Sequence, residues 1–233
     1  MHTTYLFHHI PKTAGTTVRK FLQSKMKDQS EFIHLTTKGD KIAKSLGLLP
    51  YKLRSLSERN KARVIFGHHV TVNTCQMVSN PVEHIVSFRS PKDWLISRYN
   101  QKMNRLFKNG SKTYSFEYWL TKMEAIHSQF DWLIIKFGNE KEVTDKISQL
   151  KKVLDHFQYI YTTDKTGQLV FDLGKLLNIP YNKPLNRNVV GVDKINFFSP
   201  TLHEKNILNK IIEEDVEIYR NLILPLAKNK SIK

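Results

Sequence analysis

The run Thr4-Tyr5-Leu6-Phe7-His8-His9 is β-prone and is followed at once by the turn-forming Pro11-Lys12-Thr13-Ala14-Gly15. From Thr16 the apolar residues Val18, Phe21, Leu22 and Met26 fall at helical spacing on one face. Strand, tight loop and helix in that order is how an α/β nucleotide-binding domain commonly begins. A helix directly after a strand forces the next paired strand to lie parallel, so this opening constrains the rest of the fold more than any other feature.

The remaining chain repeats the alternation. Phe32–Leu35 reads as a short strand, and Asp40–Arg59 as two short helices broken near Pro50. Arg63–Phe66 and Glu83–Phe88 read as strands ending at Gly67-His68-His69 and Arg89-Ser90-Pro91. An amphipathic helix follows Pro91, with Leu95, Tyr99, Met103 and Leu106 on one face. Helices are expected over Ser115–Gln129 and Glu140–Phe157, a strand over Tyr159–Thr162, and a helix over Asp164–Leu177 stopped by Asn178 and Pro180. Asn182–Phe198 reads as loop, and Ser199–Leu224 as a last helix opened by Ser199-Pro200. The expectation is one α/β domain over residues 1–225, with a central parallel sheet of four to five strands, helices on both faces and a P-loop-like anion loop. The basic tail, 226–233, is expected to fray.

The loop after the first strand carries the clearest chemistry. Backbone N–H groups at a helix N-terminus converge on one spot and favour a phosphate. Gly15 allows close approach of the main chain, Lys12 adds a charge, and Thr16 and Thr17 add hydroxyl donors; Thr13 and Ala14 complete the turn. The order of a Walker A loop is absent. Arg89 ends a strand, and Ser97 lies about two turns into the following helix. An arginine at the mouth of a parallel sheet can clamp a second phosphate.

Together these motifs resemble those of a known family. Pro11-Lys12-Thr13-Ala14-Gly15-Thr16-Thr17 after a strand is similar to the loop that binds the 5′-phosphosulfate in sulfotransferases using 3′-phosphoadenosine 5′-phosphosulfate (PAPS). Phe88–Tyr99 resembles the family's 3′-phosphate motif, with Arg89 and Ser97 at its two phosphate positions. Gly67-His68-His69 is similar to the catalytic-histidine segment of the carbohydrate branch, which includes the heparan sulfate 2-O-sulfotransferases. Segments 157–180 and 199–219 resemble the C-terminal half of bacterial and Golgi members, whereas Phe107–Glu142 resembles nothing identifiable. The resemblance implies sulfuryl transfer from PAPS to a hydroxyl, with a saccharide as the expected acceptor class, Lys12 catalytic beside the leaving group and no metal. It makes His68 the base, since adjacent residues at a strand end point to opposite sides and the family places the base directly after the glycine. His9 is read as structural. An N-terminal membrane anchor and paired cysteines, usual in Golgi members, are missing, so a cytoplasmic bacterial-type enzyme is expected.

Charge adds the question of the acceptor. Lys and Arg number 37 against 21 Asp and Glu, a formal net charge of +16. This suits a polyanionic partner, or serves solubility. Arg98, Lys102 and Arg105 fall on one stripe of the helix carrying Ser97, a candidate acceptor surface with His69 or else a solvated face. Trp94, Trp119 and Trp132 suit core packing, or stacking on a sugar or adenine. The single cysteine, Cys75, excludes an internal disulfide. No residue spacing suggests a metal site. Two rivals lack their signatures: a P-loop-like kinase or hydrolase needs an acidic Mg²⁺ ligand at a strand end, and a basic nucleic-acid-binding domain needs a recognition element.

Overall fold

The computed structural model describes residues 2–26, 28, 30–35, 50–122, 128–137, 145–180 and 195–232. The expected helix from Asp40 towards Pro50 and most of the expected loop Asn182–Phe198 fall outside these residues.

Five parallel strands form the sheet: β1 (Thr4–His8), β2 (Phe32–His34), β3 (Val64–Gly67), β4 (Val82–Phe88) and β5 (Phe157–Thr162), in the order β2-β3-β1-β4-β5. β1 is central, with Phe7 opposite Phe66 on one side and Ile85 on the other. Parallel strands need both faces covered, which is why β1 and β3 are buried along their whole lengths.

Alternate side chains supply the two faces. Tyr5, Phe7, Val64, Phe66, Ile85 and Tyr161 pack under α1 (Gly15–Lys25), which contributes Val18, Phe21 and Leu22; Leu169, Val170 and Leu173 of a helix after β5 complete that cluster. On the other face, Val86, Phe88 and Ile160 meet Phe130, Leu133, Leu150 and Leu154, with Leu6 and Ile65 in a smaller cluster nearer β2. Each fully buried Phe or Leu is worth about 1.5–3 kcal/mol relative to exposure. Breaking either face is therefore costly.

The helices largely follow the sequence, with instructive differences. A single helical turn, α2 (Leu56–Arg59), starts at a capping box between Ser55 and Glu58. α3 (Pro91–Lys108) opens with Pro91 at its first position and Ser90 as cap, whose hydroxyl donates to the Asp93 carboxylate at 2.7 Å. Among the described residues the expected helix 115–129 is α4 (Phe116–Lys122), and α5 (Gln129–Phe137) starts where that helix is expected to end. Ser128 makes that start, its Oγ accepting from Phe130 and Asp131 N–H at 3.1 and 3.2 Å while its own N–H donates to Asp131 at 2.7 Å. Among the described residues, the expected helix 140–157 is α6 (Lys146–Asp155), capped by Asp145, and β5 begins already at Phe157. Thr163–Lys165 is a 3₁₀ turn before α7 (Thr166–Leu176), which ends where Asn178 turns left-handed at φ 50°.

The C-terminal expectations need correcting. Ser199-Pro200 does not open the last helix; α8 (Leu202–Ile211) starts at a capping box between Thr201 and Glu204. It is followed by α9 (Glu213–Ile218), a π-helical turn (Tyr219–Ile223) and α10 (Leu224–Asn229), so the helix is segmented rather than continuous. The described residues after Pro225 continue as helix to Asn229, with Pro225 directly after the π-helical turn. Lys230 Nζ donates to the carbonyls of Leu154 and Phe157 at 3.0 and 2.9 Å, completing the exposed C-terminal end of α6.

Candidate active site

The sheet order reverses direction between β1 and β4: from β1 the chain moves towards β2, and from β4 towards β5. Open α/β sheets bind ligands outside the carboxyl ends of strands at such a switch point. The residues leaving β1 and β4 there are His9–Ala14 and Arg89–Ser90.

The loop Pro11–Ala14 places two non-glycine residues in left-handed conformations, Lys12 at φ 70° and Ala14 at φ 63°. Left-handed residues alternating with ordinary ones turn successive N–H groups towards one side, the geometry of an anion nest. Such residues are strained and persist only where the surroundings hold them. Here Thr13 does so, fully buried with its hydroxyl donating to Ile10 carbonyl at 2.9 Å. That hydroxyl shapes the loop instead of facing a ligand. Ala14 is the residue before α1 and brings no capping side chain, leaving the first N–H groups of the helix uncapped. Thr16 is exposed at this end and Thr17 half-buried.

Two neighbours brace the loop. Trp94 Nε1, on α3, donates to Pro11 carbonyl at 2.8 Å, fastening the helix that carries Ser97 to the loop that carries Lys12. Arg98 then lies over the Trp94 ring at 4.8 Å, and burial lowers its pKa. The stripe of three cations is therefore graded: Arg98 and Lys102 are half-buried, and only Arg105 is exposed. Below the loop, the His9 imidazole occupies the space next to Gly15, where a Cβ would come within 2.0 Å of the ring. Glycine is required at position 15 by this neighbour, in addition to any approach of an anion.

His9 also orders the histidine beyond β3. Its ring stacks on His68 at 4.1 Å, and its carbonyl lies 2.6 Å from His68 Nδ1. A carbonyl only accepts, so Nδ1 carries the proton and the neutral ring keeps a free lone pair on Nε2. Gly67 makes this placement possible: at φ 149° its α-carbon presses against Leu35 carbonyl, which a Cβ would meet at 2.3 Å. Burial holds the His68 pKa below its ordinary value, with His69, Lys136 and Arg19 pushing the same way and the His9 carbonyl opposing. His9 falls to about 3 and His34 to about 4, both chiefly by burial. His69, by contrast, is exposed.

Arg89 is fixed through its backbone. The fully buried Gln129 accepts from Arg89 N–H at 2.9 Å and donates back to Arg89 carbonyl. Gln129 and Lys136 of α5, with Arg19 of α1, are neighbours that the motifs did not reveal, and Trp132 of α5, read from sequence as packing or stacking, joins them. Only the Ser128-x-x-Asp131 cap marks where α5 begins. Trp94 and Trp119 are core residues, and Trp132 is half-buried with its ring edge-on to His68 at 6.5 Å. Cys75 is half-buried beside the cluster of Leu6 and Ile65. Among the described residues no group of His, Cys, Asp or Glu could hold a metal ion, and no helix is long and apolar enough to cross a membrane.

Comparison with known proteins places this geometry in a fold. No protein-family model matches the chain, and no curated protein matches it in sequence. Among solved structures, it is similar to the sulfotransferase from Alicyclobacillus acidocaldarius at a TM-score of 0.50 and 14% identity, over 96% of each chain. The chain shares that fold. The likeness runs the length of both chains, whereas the identity is too low to carry residue roles across.

Proposed function

We propose that this protein transfers a sulfuryl group from PAPS to a hydroxyl acceptor, a saccharide being the class favoured by the motif resemblance. The observation that carries the reading is the Trp94–Pro11 hydrogen bond, because it ties the loop before α1 to the helix that carries Ser97, the two segments that would hold the two ends of the donor. A donor with a phosphosulfate at one end and a 3′-phosphate at the other needs that pair. The residues present fit it: left-handed backbone and uncapped helix N–H groups for the 5′ end, and an arginine whose backbone is clamped by Gln129 for the 3′ end. Gly15, Thr16 and Thr17 cradle the 5′-phosphate, and Lys12 stabilises charge on the bridging oxygen.

His68 supplies the base. Its Nε2 takes the proton as the acceptor hydroxyl oxygen bonds to sulfur. The bond from sulfur to the bridging oxygen breaks in line, and its electron pair leaves with adenosine 3′,5′-bisphosphate. A depressed pKa suits the role, since it keeps the ring neutral and ready to accept at pH 7.

Calorimetry tests the donor. Adenosine 3′,5′-bisphosphate is expected to bind about tenfold or more tightly than adenosine 5′-monophosphate, the worth of a charge-assisted pair, and Arg89→Ala is expected to erase the difference. Equal affinities in the unaltered protein would overturn the assignment. Incubation with sulfate-labelled PAPS and a panel of saccharides, lipids and phenols then identifies the acceptor. A nucleotide kinase or hydrolase would instead consume ATP in the same assay.

A further inference from the structure

The loop that carries Lys12 and the helix α5 approach His68 from opposite layers of the molecule. The loop with Lys12 leads into α1, which packs on the sheet face built from Phe7 and Phe66. α5 packs on the other face, through Phe130 and Leu133 against Val86 and Phe88. From that side Trp132 places its ring edge-on to His68, and the Lys136 ammonium lies over the Trp132 ring at 5.6 Å. Lys136 is half-buried, forms no salt bridge among the described residues, and lies near enough to act on the His68 charge.

In-line displacement puts the incoming oxygen opposite the leaving group. With the leaving phosphate on the loop, the oxygen that His68 deprotonates arrives with its substituents towards α5. A lysine there meets the acceptor and is separate from the donor's own anchors. An ammonium beside the base with no salt bridge among the described residues offers an anionic group on the acceptor a counter-charge, which a neutral acceptor would not use. The side chains acting electrostatically on His68 and His9 include the cations Lys12, Arg19 and Lys136, with no carboxylate among them. An acceptor entering this space therefore gains from negative charge of its own.

We propose that Lys136, steadied over the Trp132 ring beside His68, is an acceptor subsite that takes an anionic group, a carboxylate or sulfate, on the saccharide that presents its hydroxyl to His68. This rests on the sulfuryl-transfer reading, and it moves acid recognition from the Arg98–Lys102–Arg105 stripe to α5. Trp132 acts as a positioning residue: its ring holds the ammonium by a cation–π contact.

The test uses the full chain saturated with adenosine 3′,5′-bisphosphate, and two probes: a glucuronate-containing tetrasaccharide and the same tetrasaccharide with its carboxylates reduced to alcohols. The charged probe is expected to bind about tenfold or more tightly than the reduced one. Lys136→Met is expected to bring the two affinities within about twofold of each other, Lys136→Arg to retain most of the preference, and Arg105→Met to leave it intact. An undiminished preference in Lys136→Met overturns the subsite, as does a lack of preference or of any binding in the unaltered protein. Bisphosphate affinity, measured separately in every variant, keeps the two readings apart: if it is tight and unchanged while the saccharide preference fails, only the subsite falls. If the unaltered protein binds no bisphosphate, the donor reading falls with it.

Discussion

At the scale of single residues, the site is decided by which histidine nitrogen is left open. His68 gives its Nδ1 proton to His9 carbonyl and keeps Nε2 for the acceptor. His69, one residue on, is exposed and has no such tether. His68→Ala is accordingly expected to preserve bisphosphate binding and to lower turnover about a hundredfold or more, with His69→Ala much milder. A reversal of the two effects in steady-state assays would put the base on the other residue. The pH dependence carries a sign as well. A base whose pKa lies below 6.5 stays deprotonated at neutrality, so the acid limb of kcat/KM is expected below pH 6.5 in the unaltered protein. The motifs pointed to Lys12, Gly15, His68 and Arg89, yet not to why Gly15 must be glycine. That reason is the ring of His9, which the loop after β1 brings against position 15.

At the scale of elements, hydrophobic periodicity made the strands and α1, α3 and α7 legible, because each buries one face or is buried on both. It did not reach α5, whose start at Ser128 falls where the expected helix 115–129 was ending. Side-chain caps, not apolar spacing, decide such starts, and the same applies to Thr201 at the start of α8. The omission concealed Gln129, which stands in for a strand partner at the end of β4 by bonding both backbone groups of Arg89. Removing it leaves a buried donor and acceptor unmatched, at about 1–3 kcal/mol each. Gln129→Leu keeps the volume and is expected to lower stability. If Gln129 also positions Arg89, the affinity ratio of bisphosphate to monophosphate falls with it, and donor KM rises more than kcat drops. A destabilised protein with an unchanged ratio would leave Gln129 a purely structural residue.

At the scale of the whole molecule, the balance of basic groups shapes stability as much as binding. His8 and His84 are paired in the core, Nε2 to Nδ1 at 2.9 Å, with Phe137 and Phe157 around them. Burial holds His8 well below 6.5 and His84 to about 4, while His9 and His34 lie at about 3 and 4 beside the site. All four are neutral in the folded chain and regain a pKa near 6.5 on unfolding. Between about pH 4 and 6.5 the unfolded state thus binds more protons, so stability rises with pH across that window and is lost as pH falls through it. Each such histidine contributes up to about 1.4 kcal/mol per pH unit there. Self-repulsion of a chain with formal charge +16 acts in the same direction, but it is long-range and screened by salt. Desolvation of a buried imidazole is not. Thermal melts are therefore expected to show the midpoint falling steeply from pH 7 to pH 5, with 0.5 M NaCl recovering only a minor part of the loss. His84→Gln, which removes one titrating ring from the core pair, is expected to flatten the slope whatever it does to the midpoint at pH 7. If salt instead abolished the pH dependence, surface repulsion would be its cause and the buried histidines would have no part in it.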